Sequence, residues 1–193
     1  MLWDDNFADL CDVVIGEFLI SATVKLRENA ISFLLTTVYG PSRCTRKQAF
    51  LQELSNAKPA GGIQWLILGD FNLILKASDK NNRILNRRLM RQFRDTLDDC
   101  ELKEISLQNR KFTWSNERTN PTLAKLDHVY CNAEWDTVFD KHVLHALSTS
   151  LSDHCPILLS NQSGPRRPRS FKFENFWTKL PGFHETVAAA EGK

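Results

Sequence analysis

The sequence of 193 residues lacks any apolar run long enough to cross a bilayer. Its longest apolar stretches, at 33–35 and 65–68, are far shorter than the roughly 20 residues that a membrane helix needs. The residues after Met1 are acidic rather than basic, so a secretion signal is not predicted either. We therefore expect a protein that enters no membrane and stays in the nucleus or the cytoplasm.

Cysteine is scarce and has no metal-site spacing. The five cysteines are never separated by two residues, which excludes the C-x-x-C pattern of zinc sites and redox dithiols: Cys11, Cys44, Cys100, Cys131 and Cys155. Their number is odd, so a complete set of disulfides within the chain is excluded as well. A reducing compartment fits this pattern best.

The chain also lacks a large excess of charge of either sign. It has 25 basic and 23 acidic residues, a net charge of +2, so any basic surface must be local. Residues 1–160 carry a net charge of −1, whereas residues 161–193 carry +3 and begin with a stretch rich in proline and arginine. With 42% apolar residues the composition is that of a globular protein. We expect one domain over 1–160 and a basic linker over 161–193.

Short apolar runs alternate with helical patterns, which predicts an α/β sandwich. Three antiparallel strands are expected near 12–15, 18–26 and 31–38, and a capping box from Thr45 to Gln48 predicts the start of a helix. The uninterrupted apolar run at 65–68 indicates a central strand that is buried on both faces. Helices are predicted at 87–100 and 133–139, and further strands at 112–114, 126–131, 143–147 and 156–159.

Acid-containing motifs lie next to three of the predicted strands. Asp70 and Asn72 follow the central strand, Asp127 begins a later one, and His154 precedes the last. A carboxylate can bind a hard cation or accept a proton, and a histidine beside a carboxylate is suited to proton transfer. Each motif alone is more often a turn than a site, so the prediction depends on their convergence at one edge of the sheet.

Taken in order, the motifs resemble the endonuclease/exonuclease/phosphatase superfamily, whose members have the DNase I-like fold. The matching segments are Val38-Tyr39-Gly40-Pro41, Leu68-Gly69-Asp70-Phe71-Asn72, Phe112-Thr113-Trp114, Leu126-Asp127 and Ser152-Asp153-His154-Cys155-Pro156-Ile157. The segments 112–116 and 171–177 are more similar to the endonuclease domain of plant LINE-type non-LTR retrotransposon polyproteins. The resemblance implies a four-layer α/β sandwich, and a linker that leads towards a reverse transcriptase.

The resemblance also implies roles for five residues in phosphodiester hydrolysis. Tyr39 would contact the scissile phosphate, and Asp70 would position or deprotonate the attacking water. Asn72 would help to hold that water and the phosphate. Asp127 would orient His154, which would stabilise the developing negative charge or transfer a proton.

A divalent cation, Mg²⁺ or Mn²⁺, is part of the chemistry that the resemblance implies, with Asp70 and Asp153 at the metal. In the family a strand ending in Asn and a second strand carrying a metal-ligand Glu come before the first matching segment. Neither occurs before Tyr39, and Glu17 and Glu28 lie in a different sequence context. We therefore expect a fold without its opening strands that binds metal poorly and cleaves weakly or not at all. A catalytically dead relic and a phosphatase of the same superfamily are the alternatives.

A local basic segment lies directly after the second motif. Between Lys76 and Arg94 the sequence has seven basic residues and a single acidic one. Such a segment can follow a phosphate backbone, so we expect DNA as the partner of a monomeric protein. The candidate contacts within it are Arg83, Arg87, Arg88 and Arg91. Trp114 is a further candidate because an aromatic ring can enter a groove or stack on a base, although a core position is equally compatible with its sequence.

Overall fold

The computed structural model describes residues 1–161, residue 178 and residues 181–191. The strands are β1 (Ala8–Ile15), β2 (Leu19–Leu26), β3 (Ser32–Tyr39), β4 (Trp65–Asp70), β5 (Lys103–Glu104), β6 (Trp114–Ser115), β7 (Leu123–Ala124), β8 (Asp127–Cys131), β9 (His142–Ala146) and β10 (Ile157–Asn161). The helices are α1 (Lys47–Asn56), α2 (Arg87–Asp99), α3 (Ala133–Val138) and α4 (Phe183–Glu191).

Six strands form the main sheet, in the order β1-β2-β3-β4-β8-β5. The first three strands are antiparallel neighbours, as predicted. Strand β4 runs parallel to β3 after the crossover through α1, and β8 pairs antiparallel on its other side. The predicted central strand is therefore confirmed. Two smaller antiparallel sheets consist of β9 with β10 and of β6 with β7.

The main sheet is covered on both faces. On one face, Trp65 and Ile67 of β4 pack with the buried residues of α1 and α2, including Phe50 and Phe93. On the other face, a second cluster joins Leu66 of β4 to β9, β10 and α3. Successive residues of a strand point to opposite faces, which is why an uninterrupted apolar run occurs in β4. Helices, main sheet and second sheet together form the predicted α/β sandwich.

Helix α1 does not begin at the predicted capping box. Residues Cys44–Arg46 form a 3₁₀ turn, and the residue before the helix, Arg46, makes no side-chain capping bond. The prediction of a capping box from Thr45 to Gln48 was therefore wrong. Starting the helix at Lys47 places that side chain on the buried face together with Phe50.

No helix in the described ranges combines the length and hydrophobicity that spanning a bilayer requires. The predicted linker over 161–193 falls mainly outside the described residues. Within it the structure describes the end of β10, residue 178 and the segment that contains α4. The boundary at 160 stays a prediction, and it lies one residue before the end of β10.

Candidate active site

Three of the predicted site residues lie side by side in the main sheet. Tyr39 is the register partner of Asp70 across β3 and β4, and Asp70 is the partner of Asp127 across β4 and β8. Adjacent strands are roughly 4.8 Å apart, so backbone pairing alone brings the two carboxylates together. Asp70 and Asp127 share the face that packs on the second sheet. The Tyr39 side chain is 74% exposed at the border of this row.

A close approach of β3 and β4 leaves no room for a side chain just before Asp70. Gly69 has φ +141°, and a Cβ atom there would lie 2.1 Å from the Val38 carbonyl oxygen. Backbone atoms cannot move away as a flexible side chain could, so this position requires glycine. Beyond it, the N–H of Gly40 donates to the Asp70 carbonyl at 2.6 Å and joins the ends of the two strands.

Asp70 and Asn72 form a compact turn at the end of β4. The Asn72 backbone N–H donates to Asp70 Oδ1 at 2.8 Å, and Asn72 Nδ2 donates to Asp70 Oδ2 at 2.7 Å. Nδ2 also donates to the Gly40 carbonyl at 2.9 Å. Both amide hydrogens are thus used within the protein, and the amide oxygen of Asn72 accepts no hydrogen bond from the part of the chain that the structure describes. The backbone of Asn72 is left-handed, with φ +50°.

His154 lies between two carboxylates. Its Nδ1 atom is 2.8 Å from Asp127 Oδ2, and its Nε2 atom is 4.0 Å from Asp70 Oδ2. The imidazole side chain is 29% exposed, compared with 11% for Asp70 and 14% for Asp127. Since a carboxylate accepts at Nδ1, that nitrogen carries the proton, and Nε2 is the atom presented to the space beside Asp70.

Strand β6 places His154 against the main sheet. Trp114 forms a backbone bridge with His154, and the N–H of Cys155 donates to the Thr113 carbonyl at 2.7 Å. The Thr113 hydroxyl accepts the backbone N–H of Asp127 at 3.1 Å. The segment 113–114 therefore contacts both members of the Asp127–His154 pair and sets their separation.

Burial and neighbouring charges shift the protonation of this group. Partial burial lowers the pKa of His154, but the hydrogen bond and charge of Asp127 outweigh it, with support from Asp70 and Asp153, and the pKa is raised. Burial raises the pKa of Asp70, opposed by the Asn72 N–H and reinforced by the charge of Asp127. A histidine that holds its proton more tightly and a carboxylate of raised proton affinity thus face each other.

The same side chains include oxygen donors of the kind that a hard cation prefers. Among the described residues, Asp70, Asp127 and His154 offer ligand atoms that all lie within 4.8 Å of one another. Two carboxylates suit Mg²⁺ or Mn²⁺, which are commonly bound by one or two carboxylates and water. Asp153, the other predicted metal residue, is exposed, and its Oδ2 accepts from Trp114 Nε1 at 2.8 Å. The charge of Asp153 helps to raise the pKa of His154.

The predicted nucleic-acid contacts are at the surface. Arg83, Arg87, Arg88 and Arg91 are all exposed, the last three on the side of α2 away from its buried Met90 and Phe93. Trp114 is half-buried beside the candidate active site. A row of backbone pairs runs from Lys80 through Ala124 and Trp114 to His154. Three strand spacings correspond to roughly 15 Å, so the basic segment begins within a few base pairs of the site.

Two buried groups next to the site were not predicted from the sequence. Lys47 is 3% exposed, and its Nζ atom donates to the Asn72 carbonyl oxygen at 2.7 Å. Burial lowers its pKa to about 8, opposed by the charge of Asp70. Position 47 precedes Phe50 and Leu51 by three and four residues, so helical periodicity could have assigned it to the buried face.

The second group lies behind Asp127. His128 is fully buried, with Nδ1 2.8 Å from Glu104 Oε1 and Nε2 3.2 Å from the Leu73 carbonyl oxygen. Lys125 Nζ donates to the same Glu104 oxygen at 2.6 Å. Alternation along β8 could have placed His128 on the face opposite to Asp127, but nothing local in the sequence identifies Glu104 as its partner.

The sequence matches the Endonuclease/Exonuclease/phosphatase family over residues 11–154. The chain belongs to this family. No curated protein sequence matches it.

Solved structures of the same fold include an endonuclease domain, a protein in complex with DNA and a phosphatase. The endonuclease domain of TRAS1, a telomere-specific non-LTR retrotransposon, is similar with a TM-score of 0.65 and 14% identity, over 83% of this chain and 71% of that one. TDP2 of D. rerio, complexed with a single-strand DNA product, is similar with a TM-score of 0.52 and 12% identity, over 79% and 67%. The mannosyl-6-phosphatase Bt3783 of Bacteroides thetaiotaomicron VPI-5482 has a TM-score of 0.50 and 10% identity, over 82% and 68%.

At these identities the likeness shows the fold. It confirms the predicted DNase I-like class and supports the resemblance to retrotransposon endonuclease domains.

Proposed function

We propose that this chain is a divalent-metal-dependent phosphodiesterase that nicks DNA, as the endonuclease of a LINE-type retroelement. The observation that carries the proposal is the position of His154, 2.8 Å from Asp127 and 4.0 Å from Asp70. This places a proton donor and a carboxylate base on either side of one small space. Hydrolysis of a phosphodiester needs both, because water must lose a proton as negative charge grows on the phosphate.

The side chains divide this work as follows. Asp70, held at both oxygens by Asn72, orients the attacking water and takes its proton. The free amide oxygen of Asn72 accepts the other hydrogen of that water. His154, kept protonated by Asp127, donates from Nε2 to the oxygen that gains charge. Tyr39 contacts the phosphate from the exposed border of the site.

Mg²⁺ or Mn²⁺ is the cofactor that we propose, held by Asp70 and Asp127, with Asp153 adding negative charge nearby. When bound, a divalent ion supplies positive charge that offsets the charge developing on the phosphate oxygens. With His154 acting as the proton donor, the described cluster offers two carboxylates for it, without the glutamate that the family resemblance implies. We therefore expect weak metal binding and slow nicking.

The basic surface favours DNA over a small phosphate ester. Exposed Arg83 lies in a loop that is connected to the site through β7 and β6, and exposed Arg87, Arg88 and Arg91 lie on α2, which follows that loop. A small phosphate ester is bound within a single pocket and would not reach these side chains. A duplex lying over the site would contact them at the phosphate backbone. We propose that the protein does this as a monomer.

Supercoiled plasmid with Mg²⁺ or Mn²⁺ is the substrate that tests the proposal. We expect metal-dependent conversion to nicked circles, and loss of this activity in His154→Ala. His145→Ala is the matched control, because His145 lies on β9 and belongs to none of the contacts of the site. Equal activity of wild type and His154→Ala would contradict the role of His154.

Two further measurements separate the alternatives. Release of phosphate from an inositol phosphate with the plasmid left intact would identify a phosphatase instead. DNA binding without cleavage at any metal concentration would identify a catalytically dead relic.

A further inference from the structure

We propose that Lys47 is a positioning residue, which holds the turn from Asp70 to Asn72 in the geometry that phosphodiester hydrolysis requires. The proposal rests on the proposed function and adds a residue to its site. Neither the composition of the chain nor its resemblance to known nucleases assigns a role to this lysine.

Lys47 is a buried cation at the base of the site. It is the first residue of α1, only 3% exposed, and its Nζ atom donates to the Asn72 carbonyl oxygen at 2.7 Å. A buried ammonium is unfavourable unless it is hydrogen-bonded and its charge is balanced. The Asn72 carbonyl provides the bond, and the carboxylate of Asp70 is the negative group that acts on it.

The bond is made at the left-handed residue of the turn. Asn72 has φ +50°, a conformation that asparagine adopts more readily than most residues other than glycine. From that conformation its N–H and its amide reach the two oxygens of Asp70. By anchoring the carbonyl of Asn72, Lys47 fixes the backbone that aims Asp70.

Packing alone does not account for a lysine at this position. The other buried residues of the helix are apolar, namely Phe50, Leu51 and Leu54. Replacing a buried charged group by an apolar side chain of similar size is often neutral or stabilising. A charge retained on such a face points to a requirement of the site, since residues that serve activity frequently do so at the expense of stability.

Three variants of the full chain test this. Lys47→Met removes the charge and the donor but keeps most of the side-chain volume, and Lys47→Arg keeps both a charge and a donor. Lys58→Met is the matched control. Lys58 follows the other end of α1, and its Nζ atom also donates to a backbone carbonyl, that of Asp99, at 2.9 Å. Plasmid nicking, thermal unfolding and hydrogen exchange at the Asn72 N–H are measured for each.

We expect Lys47→Met to lower kcat at least tenfold with KM within twofold of wild type and with no fall in Tm. Lys47→Arg should keep more activity than Lys47→Met, and Lys58→Met should nick at the wild-type rate. Nicking by Lys47→Met within twofold of wild type would overturn the proposal. A loss of activity that follows a fall in Tm, or that Lys58→Met shares, would overturn it as well.

Hydrogen exchange decides the matter even if the wild type does not nick, which would contradict the proposed function but not the positioning. The Asn72 N–H, bonded to Asp70 Oδ1, should exchange at least tenfold faster in Lys47→Met than in wild type or Lys58→Met. An unchanged rate would show that Lys47 does not hold the turn.

Discussion

The hydroxyl of Thr113 accepts the backbone N–H of Asp127 at 3.1 Å. It also accepts the N–H of Leu126 at 3.1 Å, and the Thr113 side chain is completely buried. A single oxygen from the segment before β6 thus satisfies two donors at the start of β8. The backbone from which Asp127 reaches His154 is held by this contact.

Thr113→Val should therefore destabilise the protein and impair the site. Valine has the same shape but no acceptor, and each buried N–H left without a partner costs about 1–3 kcal/mol. Denaturant unfolding should show a loss within that range or above it, while Thr113→Ser, which keeps the oxygen, should lose less. Equal stability of the valine and wild-type proteins would show that the hydroxyl is dispensable.

Asp127→Asn should lower the pKa of His154. The carboxylate is what outweighs partial burial and raises this pKa above its ordinary value of 6.5. An uncharged amide removes the charge, so the imidazole should lose its proton at lower pH than in wild type. Titration of the His154 ring by NMR without metal measures this directly, and the alkaline limb of the nicking profile should move to lower pH. Wild type and His145→Ala serve as references for this titration.

Glu104 should contribute stability that is lost in acid. Burial alone would raise its pKa, but the hydrogen bond and charge of His128, with those of Lys125, outweigh burial and hold the pKa well below the ordinary value of 4.5. A carboxyl group with a lower pKa in the folded state stabilises fully above its unfolded pKa and loses this effect as pH falls through the folded one.

Unfolding measured from pH 6 downwards should thus show stability falling below about pH 4.5. Glu104→Gln should be less stable near neutrality and show a shallower slope in acid. Glu101→Gln is the control, because Glu101 pairs with Lys58 at the surface with 49% of its side chain exposed. Parallel acid slopes for wild type and Glu104→Gln would refute the assignment.

The exposed arginines of α2 should determine how DNA binding depends on salt. Arg87→Gln, Arg88→Gln or Arg91→Gln should each reduce the slope of log K against log salt by about 0.9 if the side chain neutralises one phosphate. Arg27→Gln removes an exposed arginine that lies outside α2 and pairs with Asp9, and it should leave the slope unchanged. If all four variants show the wild-type slope of log K against log salt, α2 does not belong to the DNA interface.

The strands and the motif positions could be predicted from the sequence because their signals are local. The apolar run before Asp70 predicts β4 correctly, since a strand buried on both faces needs apolar residues at every position. The placement of Asp70, Asn72 and Asp127 at strand ends follows from the same runs. The start of α1 was missed because Thr45, a good capping residue in isolation, lies in a 3₁₀ turn.

The groups that support the site depend on contacts between distant segments. Lys47 meets Asn72 across 25 residues of chain, and Glu104 meets His128 across 24. In neither pair does the local sequence around one residue identify the other as its partner. Only the pairing of β3, β4, β8 and β5 brings them together, so their roles could not be predicted before the sheet order was known.

The row formed by Tyr39, Asp70 and Asp127 ties the integrity of the site to strand register. A slip of one residue between β4 and either neighbour would turn the side chains of one strand to the opposite face and separate the carboxylates completely. A shifted register therefore does not leave a partly assembled site, because the two carboxylates no longer meet. The burial of both faces of β4 specifies the register strongly, and with it the meeting of the two carboxylates.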